Sequence, residues 1–547
     1  MPTSPQDSAC SALAEAIVDE LLEASPTEAT SLGDHRFDDR LDDLGADALD
    51  AQRRTVAARL AELDGLDLDA VSSQLAVDAA ILRTTLAARL FALDELREHE
   101  WNPLVANPGT AIYLLLARDF APLGERLRSI AGRLVAVPQQ LAVARDSLRD
   151  MPRVHVETAL GQFAGTRQLL VTEVEQALEQ EPALRREVQP VYQAALAALD
   201  EHLDWLRASL DDVHGDPRLG AERFARKLEL TLDSATAADA VLSRAEADLE
   251  RVEQEIAEVA ARMGGDVRGV LDALAEEGKV DDSTILGLCV DAMAETTAFV
   301  RGHDLVTVYD DPVEVIEMPE IHRGVAVAYC DPPGPLETQA LPTYFAVSPT
   351  PEDWPPERVA SFYREYNAHQ LHNLTVHEAM PGHVLQLAHS RRAQLPTRVR
   401  AAFWSGPFVE GWAVYAEALM AARGYRGEAG ERVAGALRMQ QLKMQLRMTI
   451  NAILDARVHA HAMTEDEAMR LMTVRGHQEE GEAVGKWRRA LLTSAQLSTY
   501  YVGFTEVSDL VRDLRASRPG QSDRAVHDAV LGHGSPPPRH LRTLLQV

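Results

Sequence analysis

Cysteine is scarce in this chain, as are aromatic residues, surplus positive charge and long apolar runs. Cys10, Cys289 and Cys330 are its three cysteines, an odd number with no two close together. That spacing argues against a disulfide framework or a cysteine metal cluster and fits a reducing compartment. The formal net charge of −31 argues against nucleic acid and anionic membranes as partners, since both recruit Lys/Arg surfaces. Acidity of this kind keeps a protein soluble, and a local cleft can still differ in sign from the whole. No apolar run approaches the ~18 residues of a spanning helix. The opening Met1-Pro2-Thr3-Ser4-Pro5 carries neither a basic region nor an apolar signal core, so a cytoplasmic location is expected.

What the chain does have is ample apolar material, 46% of 547 residues, distributed mostly at helical spacing. Leu13, Ile17 and Leu21 recur in that way, as do Leu75, Ala79, Leu82, Leu86 and Leu90. Breaks fall at Ser25-Pro26, Asn102-Pro103, Asn107-Pro108-Gly109, Met151-Pro152 and Gly264-Gly265. From residue 301 β-branched runs take over: Val306–Tyr309, Val313–Ile316, Gly324–Tyr329 and Pro342–Val347. The helical period returns near Pro356 and includes a capping box, Thr464 to Glu467. The expected fold is therefore mainly α, with a small β-sheet beside helices that carry a functional site and a deep cleft. Residues 1–300 form an N-terminal helical half. Residues 301–547 form a second half, with a sheet within 301–350 and site helices within 356–515, the two halves packed as one compact unit.

The chemistry is concentrated in His377-Glu378-Ala379-Met380-Pro381-Gly382-His383. In His-Glu-x-x-His the two imidazoles lie four residues apart on one helical face and share a metal. Here the spacing is six, about 600° of turn, which on a straight helix separates the rings by about 120°. Pro381 cannot donate to the carbonyl of His377, and Gly382 tolerates a left-handed backbone. The pair is therefore expected to bulge and return His383 beneath His377. Glu378 takes the general-base position beside the first histidine.

A catalytic zinc needs a third protein ligand and an open fourth position. Glu410 in Phe408-Val409-Glu410-Gly411-Trp412 is the candidate, near the start of a helix, with Gly411 allowing close helix approach. Glu417 lies seven positions on and shares its face. It reads equally as a group orienting a ligating histidine or as a surface charge. His372 and His389 read as structural or cleft residues.

These blocks resemble the bacterial domain-of-unknown-function family 885, with its His-Glu-x-x-Pro-Gly-His-x-x-Gln motif at His377–Gln386 and its Glu-Gly-Trp-Ala-x-Tyr-Ala-Glu block at Glu410–Glu417. Its N-terminal block is similar to Ala29–Asp38. The family looks like a member of the zincin superfamily, and the Glu-Gly element is similar to the third-ligand element of aminopeptidase N relatives. The resemblance implies His377, His383 and Glu410 as ligands of one zinc ion and Glu378 as base, in a gluzincin-like metallopeptidase. The softer matches place Gln386, Asp455 and His459 at the cleft, the last two as an i,i+4 pair. The segment Gln496–Gly503 departs from the family pattern at Tyr501, where a lysine is usual, and Asn451 stands where an arginine is frequent. Tyr500 is the candidate for stabilising an oxyanion, with a core tyrosine as the alternative.

Tyr344, in Thr343–Val347, is the candidate strand residue against which a peptide substrate is laid. The expected reaction is hydrolysis of peptide bonds in short peptides by an activated water. Hydrolysis of a non-peptide amide or small molecule is the first alternative, and a non-catalytic helical binding protein the second. Other divalent transition metals suit the same ligands.

Overall fold

A computed structural model describes residues 4–234, 236–318, 327–351 and 354–547. Helices dominate, and their ends follow the chain's own punctuation. Prolines open helices at Pro26, Pro356 and Pro538, where the missing N–H has no partner to lose. The expected break at Gly264-Gly265 separates Ala238–Arg262 from Val267–Glu277. The Thr464–Glu467 capping box forms with both reciprocal bonds.

The chain divides into two compact units. The first comprises Met1–Pro217, Pro333–Leu341 and Pro396–Ala402, and the second Arg218–Pro332, Pro342–Leu395 and Phe403–Val547. The division falls near residue 217 rather than at the boundary of 300 read from the sequence. Its cause is packing. Leu249, Val252 and Ile256 of the helix Ala238–Arg262 share one core with Leu442, Leu446 and Ile453 of the long helix Glu431–His461. Helical periodicity is the same on both sides of residue 217, so nothing local marks the change.

In the first unit the helices Leu123–Ser147, Arg153–Leu169 and Arg185–Ser209 enclose an apolar core. The block Ala29–Asp38 belongs to this unit and serves its folding. Gly33 turns with φ +85°, and His35 is held between Asp38 and Glu337, each at 2.9 Å.

Two histidines in this unit give it an acid sensitivity. His202 is fully buried with neither ring nitrogen hydrogen-bonded among the described residues, and His155 is buried with Nδ1 unpaired. Burial pulls both down to about 4, with Arg145 adding to the effect at His202. Unfolded, each would titrate near ~6.5, so the unfolded chain binds more protons between those values. The expected result is full stability above pH ~6.5 and a loss approaching ~3 kcal/mol per histidine as pH falls towards 4. Urea midpoints across this range test it. A His202→Leu chain with the wild-type pH slope would refute the assignment.

In the second unit three strands form one sheet in the order β1 (Val313–Glu317), β3 (Thr343–Val347), β2 (Ala328–Asp331). β1 runs parallel to β3 and β2 antiparallel to it. Of the expected runs, Val306–Tyr309 is not a strand. Asp528 accepts from the backbone N–H and hydroxyl of Thr307, and His389 reaches its carbonyl, so side chains satisfy this backbone instead of a ladder. Residues 324–326 of the third run lie outside the described residues.

Close helix approach then positions the site. A Cβ added to Gly411 would lie 2.3 Å from the carbonyl carbon of Gly503, and one added to Gly503 would lie 1.9 Å from the carbonyl oxygen of Pro407. Backbone therefore meets backbone where the helix Gly406–Ala422 crosses Ser498–Ser517. That crossing carries Glu410 on one side and Tyr500 on the other.

Candidate metal centre

The helix Ala368–Glu378 starts with the Asn367 side chain accepting from the N–H groups of His369 and Gln370. It stops where the sequence bulges, and a second helix, His383–Arg392, takes over. The Pro381-Gly382 insertion thus ends one helix and restarts another, as expected. Gly382 differs in detail: its φ is −73°, so left-handed freedom is not its use. Its N–H donates to the Val376 carbonyl at 2.9 Å, and a Cβ would lie 1.8 Å from the His377 oxygen. The position demands glycine because the chain doubles back onto its own helix. Trp412 holds the bulge by donating its indole N–H to the Pro381 carbonyl at 2.8 Å.

His377 and His383 thereby face each other, with ring centroids 4.8 Å apart. Glu410 completes the set. Its Oε2 lies 3.5 Å from His377 Nε2 and 3.6 Å from His383 Nε2. These three residues present one ligand atom each, all within 4.8 Å of one another. Zinc bonds of ~2.0–2.2 Å in a tetrahedron place ligand atoms ~3.3–3.5 Å apart, close to the two distances from Glu410 to the histidines. Glu410 Oε2 is buried without a hydrogen-bond partner among the described residues. A buried carboxylate oxygen aimed between two imidazoles is what a cation site requires. The residues therefore fit a divalent metal ion.

Glu417 is the orienting group rather than a surface charge. It is 1% exposed, its Oε1 lies 2.8 Å from His377 Nδ1, and Asn373 donates to its Oε2 at 2.6 Å. A proton shared at Nδ1 leaves Nε2 free to ligate. Burial works against charging His377, yet Glu410 and Glu417 on its two nitrogens hold its pKa well above the ordinary value. Burial likewise opposes ionisation of Glu410, but the two histidines hold its carboxyl far below the usual range.

Glu378 follows His377 and is also buried. Its Oε2 accepts from the Cys330 backbone N–H of β2 at 3.1 Å. Burial raises its pKa above the ordinary carboxylate value despite the two histidines, which suits a group that must gain and release a proton. The centre opens on a cavity of about 130 Å³ lined by His377, Glu378, Asn451, Lys486, Arg489 and Tyr500, among others. Tyr500 thus reaches the site. Burial pushes its hydroxyl up to about 12, with the Glu410 charge adding to the effect.

The remaining expected residues lie elsewhere. Tyr344 is on β3, which is hydrogen-bonded on both sides, opposite Glu314 and Asp331, so no open edge exists there for a peptide. The strand that reaches Glu378 is β2. Asp455 and His459 share no hydrogen bond. Asp455 accepts from the N–H groups of Ala495 and Ser498 and from the Ser498 hydroxyl, while His459 Nε2 meets the carbonyls of Ala490 and Thr493. Together they hold the turn that leads into the Tyr500 helix. Gln386 donates to the Ser535 hydroxyl at 2.7 Å and does not line the cavity. His372 and His389 are structural, bonded to the Tyr425 hydroxyl and the Thr307 carbonyl.

Sequence reasoning did not reach Asn373, Cys330, Trp412, Arg447, Lys486 or Arg489. Asn373 stands one helical turn before His377, a spacing that could have flagged it. Trp412 stands in the Glu410 block, but nothing there shows that it holds the bulge; the others come from distant elements and carry no local signal.

Comparison with known proteins bears on family and fold. The profile of the family described as "Bacterial protein of unknown function (DUF885)" matches residues 26–545, and the chain belongs to that family. No functionally curated protein matches it. Among solved structures, one from Shewanella oneidensis, provisionally described as a lipoprotein of unknown function, is 28% identical with a TM-score of 0.83. It covers 98% of this chain and 99% of its own. A second, from Colwellia psychrerythraea and also provisionally described as a lipoprotein, is 17% identical with a TM-score of 0.80 over 99% of both chains. The second likeness concerns the fold alone. No helix among the described residues is long and apolar enough to cross a membrane.

Proposed function

We propose that this family member is a zinc-dependent peptidase acting on short peptides. The observation that carries the reading is Glu378. It is a buried carboxyl anchored by a backbone N–H and adjoining three convergent ligand atoms. A purely structural site has no use for such a base. Zinc held by His377, His383 and Glu410 would supply Lewis acidity towards a water and a carbonyl oxygen.

The chain's own residues supply the rest. Cys330 fixes one Glu378 oxygen, leaving the other to take a proton from the attacking water. The hydroxide equivalent adds to the carbonyl carbon, the C–N bond breaks, and Glu378 returns that proton to the leaving nitrogen. The Tyr500 hydroxyl, still protonated at neutral pH, donates to the oxyanion. The cavity, about 130 Å³, is small beside the ~300–1,000 Å³ of common ligand pockets, which favours short substrates over folded proteins.

The lack of a disulfide among the described residues supports a cytoplasmic site of action, and cell fractionation checks that placement. Elemental analysis with a peptide-library digest read by mass spectrometry tests the reaction. One zinc per chain and chelator-sensitive cleavage are expected. Absence of both would end the proposal. Cleavage of acylated small molecules with peptides untouched would move it to the non-peptide alternative.

A further inference from the structure

The wall of the cavity facing the metal centre is positively charged, although the chain as a whole is acidic. Three cations line it, Arg447, Lys486 and Arg489, and Lys443 adjoins Arg447 through Glu365. Two carboxylates answer two of them. Glu365 takes Lys443 at 2.9 Å, and Glu482 takes Arg447, which also reaches the Tyr366 hydroxyl at 3.2 Å. Lys486 and Arg489 have no carboxylate within 4.0 Å among the described residues. Arg489 donates to Gln496 Oε1 at 2.8 Å, a neutral partner. Lys486 is 6% exposed and has no hydrogen-bond partner among the described residues. The carboxylates at the metal centre are engaged already: Glu378 by Cys330, Glu417 by His377 and Asn373, and Glu410 between the histidines.

A buried ammonium without a partner costs several kcal/mol. Such a group persists where something that arrives later supplies the opposite charge. Burial, then Arg447, pulls Lys486 down to about 7 even with Glu482 and Glu365 acting the other way, so an arriving anion would draw it to the charged form. The same cavity presents Gln370 and Asn451, each with a buried side-chain oxygen left without a partner. Amide oxygens of this kind accept from substrate N–H groups.

We infer that Lys486 and Arg489 form an anion subsite that takes a carboxylate of the substrate beside the metal centre. The inference rests on the peptidase reading and narrows its substrates to peptides that present a carboxylate close to the scissile bond. The carboxylate is either a free C-terminus or an acidic side chain, since both present the same group.

Binding is measured by calorimetry on the full-length Glu378→Gln chain, as purified, so that turnover does not interfere. The probes are N-acetyl-Ala-Ala with a free carboxylate, its C-terminal amide, and N-acetyl-Ala-Glu amide. At least one carboxylate probe should bind about tenfold or more tighter than the uncharged amide. Lys486→Met and Arg489→Met should each erase that preference and leave the uncharged amide unaffected. Preference for the first probe assigns the C-terminus, and preference for the third assigns a side chain. Lys486→Met removes a buried unpaired charge, so it should melt no lower than the parent; if it does, the more exposed Arg489→Met carries the test. Equal binding of all three probes, or none, overturns the inference. A carboxylate preference in a chain that takes up no zinc and cleaves nothing would leave the subsite standing and remove the peptidase reading alone.

Discussion

Glu378→Gln is expected to leave zinc content unchanged and to lower kcat/KM for peptide cleavage by ~10²–10⁴-fold, the range for losing a positioned general base. The substitution is nearly isosteric. The glutamine carbonyl still accepts from Cys330 N–H, so the bulge and the sheet contact survive. What disappears is the oxygen able to take a proton from water and return it to the leaving nitrogen. Glu378 does not belong to the convergent ligand set, so the ion should stay. Steady-state kinetics and elemental analysis on the same preparation decide the matter. A variant with wild-type turnover would exclude Glu378 as the base, and one that loses zinc would make it a ligand.

Glu410→Ala acts on the other half of the centre. It deletes the carboxylate oxygen lying 3.5 and 3.6 Å from the two imidazole nitrogens. Two neutral imidazoles remain, with no anionic ligand to offset the charge of the ion. Zinc occupancy should drop from one per chain to near zero after dialysis. Glu417→Ala provides the graded comparison. It frees His377 Nδ1 from its 2.8 Å partner and leaves Asn373 without its acceptor, but removes no ligand. Its expected cost is ~10–100-fold in zinc affinity, the scale of lost orienting partners. Competition titrations with a chromophoric chelator rank the three proteins. Equal affinities would show that the ion, if bound, is held elsewhere.

These two expectations draw on residues whose roles were differently visible in the sequence. His377, Glu378 and His383 lie within seven consecutive residues, and Pro-Gly at the odd spacing announced a bulge. Glu410 followed from the need for a third ligand and from its Gly-Trp context. Gly411 foretold close helix approach, but not that Gly503 would be the partner. Glu417 fits two readings in the sequence, and only the placement of Asn373 and His377 on its oxygens separates them. The Pro-Gly pair suggests left-handed freedom at Gly382, whereas the structure uses its missing side chain.

Other readings failed for a shared reason. Thr343–Val347 is a strand as expected, but edge or centre depends on its neighbours, and β1 and β2 flank it. Asp455 and His459 have the right helical spacing to pair, yet each does better by binding backbone in the turn at 490–498. The Val306–Tyr309 run has strand composition but finds Asp528 and His389 instead of a partner strand.

The sequence by itself determined the helical class, the small sheet, the residues able to hold a cation and the carboxyl beside them. Short-range spacing and side-chain chemistry set all of these. Tertiary structure alone decided which strand lies at the edge, where the chain divides and which cations line the cavity without partners. Those outcomes depend on distant segments meeting, Lys486 and Arg489 from one helix and His377 from another. A pairing that costs nothing in local conformation leaves no pattern along the chain.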